Sequence, residues 1–148
     1  MTDSENFDLL QSPLQGTNLI EAGAGTGKTH TITTLFLRLV VEKNLPVNEI
    51  LVVTFTEAAT EELKHRIRSK LREAVTAISS GRSDDGFMRG LLNKAQNTRV
   101  ALRRLNEALR AFDQAAIFTI HGFCRRMLHQ NAFESGSLFD TELVTDQE

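Results

Sequence analysis

Lys28 and Thr29 close the run Ala22-Gly23-Ala24-Gly25-Thr26-Gly27-Lys28-Thr29, which sets an ammonium and a hydroxyl directly behind three alternate glycines. That spacing suits a polyphosphate. Glycine has no Cβ, so the backbone around residues 23, 25 and 27 can turn tightly with its N–H groups pointing inward. Those donors, with the N-terminus of a following helix, make a concave anion site. Lys28 can reach the β and γ phosphates of a nucleoside triphosphate. Thr29 offers a hydroxyl to Mg²⁺, an ion that keeps several waters and takes few protein ligands. Residues 22–29 are therefore the expected nucleotide-binding residues, with Lys28 and Thr29 in catalytic roles and Thr29 as metal ligand. The strict pattern asks for glycine where Ala22 stands. The competing reading is a glycine-rich turn with a chance Gly-Lys-Thr, and the flanking elements argue against it.

Such a loop needs a strand before it and a helix after it. Residues 17–21 are expected as a short buried first strand. Thr33, Leu35, Phe36, Leu39 and Val40 supply a mostly apolar helix that should end near Lys43-Asn44, before Pro46. The continuous β-branched run at 49–54 predicts a strand buried on both faces of a parallel sheet. Thr56 or a neighbour can cap the next helix, with Glu57 favourable in its first turn. Ala59, Leu63, Ile67, Leu71, Ala74 and Ile78 form one apolar stripe, with Lys64, Arg68 and Arg72 elsewhere around that helix. Residues 79–86 have loop composition. A short helix over 87–92 follows, then a helix over 98–112 with Leu102, Leu105, Leu109 and Phe112 on one side. A third strand is expected at 115–120, and a helix at 121–132 that buries Phe123, Met127 and Cys124. The last fifteen or so residues show no periodicity, and there is no internal repeat. The order predicts an α/β P-loop NTPase fold, a parallel sheet flanked by helices. Ligands of such sheets bind beyond the carboxyl ends of the strands. The phosphate loop, Thr54-Phe55-Thr56 and residues 119–123 all share that address.

Bulk properties narrow the class. The chain has 148 residues, a size for one domain with a real core. No run of about eighteen apolar residues occurs, which argues against a membrane span. The acidic start Met-Thr-Asp-Ser-Glu-Asn lacks a signal core. The single cysteine, Cys124, cannot form an internal disulfide and suits a reducing compartment, so a cytoplasmic location is expected. Net charge is -2, but residues 61–110 hold twelve Lys or Arg against six Asp or Glu, between two acidic ends. That basic block reads either as solvated helix faces or as a phosphate-contacting surface.

Three motifs then carry a resemblance. The loop at 22–29, the run 51–63 with Arg66-Ile67, and residues 118–128 with Asn131-Ala132-Phe133-Glu134-Ser135 resemble superfamily 1 DNA helicases of the UvrD/RecB type. Within these, the likeness is to the N-terminal part of the exodeoxyribonuclease V beta-subunit family. It covers the chain from about residue 14 onward. The resemblance implies a partial RecA-like domain at 17–148 behind a lead-in segment at 1–16, with a helical segment at about 57–113. It implies ATP with Mg²⁺ as cofactor, and alanine at position 22 is normal for the motif. Thr54, Phe55 and Thr56 would lie on single-stranded DNA, as would Thr119, His121 and Phe123. Gln15 stands where some relatives read adenine. Implied partners are single-stranded or duplex-end DNA and RecC- and RecD-like subunits, in recombinational repair of double-strand breaks.

The residue chemistry supports the strand contacts independently. A single strand is held by hydroxyl or basic groups on its phosphates and aromatic faces under its bases, each stack worth about 1–3 kcal/mol. Thr54, Thr56 and Thr119 supply hydroxyls, Phe55 and Phe123 rings, and His121 a donor. Against this, Phe123 and Phe55 could be core, His121 could cap its helix, and Arg125-Arg126 could be a solvated face. The chain lacks a carboxylate pair after a later strand to hold Mg²⁺ and align water. Asp84-Asp85 lies in a polar loop, and Glu142 and Asp146 follow no core strand. A fragment with weak nucleotide binding and negligible hydrolysis is the expectation. A small-molecule kinase remains an alternative, though no acceptor site or arginine lid is visible. A non-catalytic docking module is another.

Overall fold

The computed structural model describes residues 8–23, 25, 27–94 and 97–131. Ala24 and Thr26 of the phosphate loop lie outside the described residues, as do Ala132 to Ser135, Glu142 and Asp146. Five α-helices and two strands are described: α1 (Lys28–Lys43), β1 (Val52–Thr54), α2 (Glu57–Ser80), α3 (Gly86–Lys94), α4 (Thr98–Arg110), β2 (Ile117–Thr119) and α5 (Ile120–Gln130). β1 and β2 pair in parallel, with Val52 opposite Ile117, Val53 opposite Phe118 and Thr54 opposite Thr119. The α/β reading with a parallel sheet flanked by helices therefore holds, with α2, α3 and α4 forming the connection between the two strands.

Local chemistry sets the helix ends. Asn44 takes a left-handed conformation (φ 56°) and ends α1, and the Leu45 amide folds back onto the Leu39 carbonyl. Thr56 accepts a hydrogen bond from the Ala59 amide at 3.1 Å and caps α2. Asn97 accepts from the amides of Arg99 and Val100 and caps α4. Along α2 the expected stripe is the buried one: Leu63, Ile67, Leu71, Ala74 and Ile78. It lies at the centre of the fold, against α1, α3, α4 and both strands. Phe36, Leu37 and Val40 of α1, Met88 and Leu91 of α3, Leu105 of α4 and Ile117 of β2 complete the core.

Four expectations change. Residues 17–21 are not a strand: they join no ladder among the described residues, and Leu19 is 87% exposed. A strand exists only through a neighbour's backbone groups, and β1 and β2 use their described partners on each other. The other two strands are shorter than their apolar runs: Glu49 closes a 3₁₀ turn ahead of β1, and Ile120 already begins α5. The sheet is also covered unevenly. Ile117 and Thr119 are buried while Val53 is 46% exposed, so burial alternates along the strands. Finally, α5 buries no residue fully: Phe123 and Met127 are half-buried and Cys124 is exposed.

Candidate functional site

The phosphate loop ends in a left-handed glycine. Gly27 has φ 88° and is the N-cap of α1, and Gly25 has φ 76°. The Thr31 amide donates to the Gly27 carbonyl at 2.9 Å, the first bond of the helix. Among the described residues no side chain caps this end. The first amides of a 16-residue helix therefore face the loop with no internal acceptor, which is what an anion requires. Lys28 folds back over the loop, its Nζ donating to the carbonyls of Ala22 at 3.1 Å and Gly23 at 2.7 Å. The ammonium is thus fastened at the loop mouth. Thr29, next in the helix, is half-buried. These residues fit a Mg²⁺–nucleoside triphosphate: amides and ammonium for the phosphates, one hydroxyl for the ion. Among the described residues no group of three or more His, Cys, Asp or Glu could hold a metal. An ion here would take the Thr29 hydroxyl together with phosphate oxygens and water.

The two remaining segments meet at the carboxyl ends of the strands. Thr54 and Thr119 are cross-strand neighbours. Phe55, immediately beyond β1, is 85% exposed and is not core. Thr56 spends its hydroxyl oxygen on the α2 cap. Thr119 is 6% exposed and caps α5 by accepting from the Gly122 amide at 3.0 Å. The cap is therefore Thr119 and not His121, which is exposed. Thr119 also donates its own hydroxyl proton to Glu57 Oε1 at 3.2 Å. The tips of β1 and β2 thus form one surface with an exposed ring, an exposed imidazole and two adjoining helix N-termini. The structure joins these two segments by a ladder; the described residues before the phosphate loop join none.

Gln15 lies in the turn before that segment, where its carbonyl accepts from Asn18 Nδ2 at 3.1 Å. The chain here runs beside Leu35 and Leu39 of α1, enclosing a groove of about 590 Å³. A larger groove of about 700 Å³ lies away from the loop, lined by Lys64, Arg68, Phe112, Phe118 and Arg126 among others. Arg68 stacks over Phe112 at 5.3 Å and Arg126 over Phe118 at 5.2 Å. Arg126 is thus laid against a ring. Much of the basic block is paired along helix faces, as in Lys64–Glu61, Arg66–Glu62 and Arg103–Glu107. Asp85 is equally committed: it pairs with Lys70 at 2.9 Å and accepts from the Phe87 amide, a structural duty.

Two residues escaped the sequence reading. Arg38 is 3% exposed; it pairs with Glu42 and donates to the carbonyls of Leu9 and Ser12, both at 2.9 Å. With Lys94, which donates to the Leu10 carbonyl, it fastens the lead-in segment to α1 and α3. A charge inside the apolar face of α1 was the available signal. Glu57 was legible as a first-turn carboxylate, but its link to Thr119, 62 positions away, was not.

The chain has relatives among known proteins. Residues 3–148 match the family described as UvrD/REP helicase N-terminal domain. The chain is 49% identical over 152 residues to the RecBCD enzyme subunit RecB of Escherichia coli, covering 97% of this chain and 13% of that protein. The corresponding subunit of Haemophilus influenzae is 47% identical over 162 residues, 99% of this chain and 13% of the relative. That of Mycobacterium tuberculosis is 36% identical over 143 residues, 94% and 13% respectively. The chain therefore spans about 13% of the length of these relatives. Matched by the family pattern over nearly its whole length, the chain belongs to the UvrD/REP helicase N-terminal domain family.

Proposed function

We propose that the chain is the ATP-binding N-terminal part of an ATP-dependent DNA helicase and exonuclease, and that it serves recombinational repair of double-strand breaks. The observation that carries this reading is Lys28, held by the Ala22 and Gly23 carbonyls over a loop that ends in left-handed Gly27 at the start of α1. Residues 22–29 would bind the triphosphate, Ala24 and Thr26 included, and Thr29 would add its hydroxyl to Mg²⁺. When bound, the nucleotide supplies the free energy of its γ-phosphate cleavage. Residues 17–148 then form the first part of a RecA-like domain, 57–113 its helical segment and 1–16 its lead-in. Thr54, Phe55, Thr56, Thr119, His121 and Phe123 line the path of a single strand. Thr56 and Thr119 act there chiefly by capping the helices that border it. Partners are single-stranded or duplex-end DNA and RecC- and RecD-like subunits, in the cytoplasm. Gln15, in the turn closed by Asn18, would read the adenine base.

The test is nucleotide binding to the purified chain. Lys28→Ala should weaken ATP binding by about tenfold to a hundredfold, the scale of a charge-assisted hydrogen-bond set. Equal affinity in titration calorimetry would reject the phosphate site. The chain alone should show negligible hydrolysis, because Asp85 is occupied by Lys70 and supplies no water-aligning carboxylate. A robust single-strand-stimulated ATPase rate would contradict that.

A further inference from the structure

We propose that Glu57 is a positioning residue that holds the two strand tips together as one grip on single-stranded DNA. The proposal rests on the single-strand reading above and deepens it. The β1–β2 ladder stops at Thr54 and Thr119. Beyond it one chain continues through Phe55 into α2 and the other enters α5 directly. A polar relay crosses the gap: the Gly122 amide donates to Thr119 Oγ1, and the Thr119 hydroxyl donates to Glu57 Oε1. Each donor and acceptor is used once, so the proton on Thr119 points at the carboxylate. Gly122 belongs to the same device, since a Cβ there would sit 3.0 Å from Thr119 Oγ1 and press on the relay. Glu57 stands in the first turn of α2, and through Thr119 it is tied to the N-terminus of α5. One carboxylate therefore joins the N-termini of both helices that border the strand path. Phe55 and His121, which project from the two tips, keep a constant separation only while these termini stay in register. Two contacts to one DNA strand reinforce each other when their spacing is preset.

The experiment compares Glu57→Gln with Glu57→Ala in the full chain, using a fluorescent oligodeoxythymidine and anisotropy. Both variants lose the charge, so the part of any difference between them that depends on Thr119 reads the hydrogen bond. Glutamine keeps an acceptor for the Thr119 hydroxyl, and alanine does not. Glu57 is exposed, so both should melt like the parent chain. Glu57→Ala should bind about threefold to tenfold more weakly than Glu57→Gln, on the order of one hydrogen bond. In a Thr119→Val background that difference should vanish, because the donor is gone. Equal affinity of the two variants, or a difference that survives Thr119→Val, overturns the tie. Phe55→Ala separates the two readings. If it weakens binding while the Glu57 pair agree, only the tie falls. If the oligonucleotide does not bind, or Phe55→Ala changes nothing, the single-strand reading falls and the tie with it.

Discussion

Gly27 sets the conformation on which the phosphate loop depends. At φ 88° a Cβ would meet nothing closer than His30 Cβ at 4.0 Å, so the demand is conformational and not spatial. A left-handed non-glycine residue costs about 1–2 kcal/mol. Gly27→Ala should therefore lower the melting temperature by about 3–6 °C. It should also weaken ATP binding, because relaxing φ turns the first amides of α1 away from the phosphates. A variant that melts early yet binds ATP normally would show that the loop tolerates other geometries. The glycines, Lys28 and Thr29 stand out in the sequence because a phosphate loop, as proposed here, is a local object that needs only eight consecutive residues. The same locality made Thr56 readable as a cap. Thr119 was readable as a hydroxyl at a strand tip, but its double duty was not, because Glu57 comes from a different element.

Elements show the same division. α2 followed its stripe closely, since a buried face at helical spacing reports on itself. α5 had an apolar stripe too, yet it buries no residue fully, because a stripe is covered only where a neighbour lies over it. The tie between α2 and α3 gives a prediction at this scale. Burial alone would raise the Asp85 carboxyl, but hydrogen bonds from Lys70 and the Phe87 amide outweigh it and hold the carboxyl below its ordinary 3.8. Burial likewise opposes the Lys70 charge, and its bonds to Asp85 and Glu73 hold the ammonium above 10.5. The sign of each follows from linkage. Asp85, lowered on folding, contributes in full above pH 3.8 and loses that contribution as pH falls through its folded value. Lys70, raised on folding, contributes in full below pH 10.5 and loses it as pH rises through its folded value. Lys70→Met should thus melt below the parent chain at neutral pH. The gap should narrow in acid below pH 3.8 and in alkali above pH 10.5. A gap constant across the whole range would show that the pair contributes no charge-dependent stability.

Across the whole molecule, order is concentrated in the layer of α1, α2 and α4. Leu37, Ile67, Leu71 and Leu105 there are completely buried. The sheet side is thin, with Leu19, Leu51, Val53 and Phe55 all substantially exposed. Hydrogen exchange should follow this division: amides of α2 and α4 slowest, those of α5 and residues 17–23 fastest. Slow exchange at Leu19 and Ile20 would mean that they are covered or paired in solution. Read by itself, the sequence determined the five helices and their approximate bounds, the glycine-rich turn into the first of them, and an α/β arrangement with two of its strands. Each of these depends on residues within one or two helical turns, or on a run that is apolar in its own right. The tertiary structure alone decided that residues 17–21 stand outside the ladder and that Thr54 faces Thr119. It also decided that Arg38 is buried against the lead-in and that Glu57 reaches across to Thr119. Those outcomes turn on which distant backbone or side chain supplies the partner of a hydrogen bond, and no local pattern carries that choice.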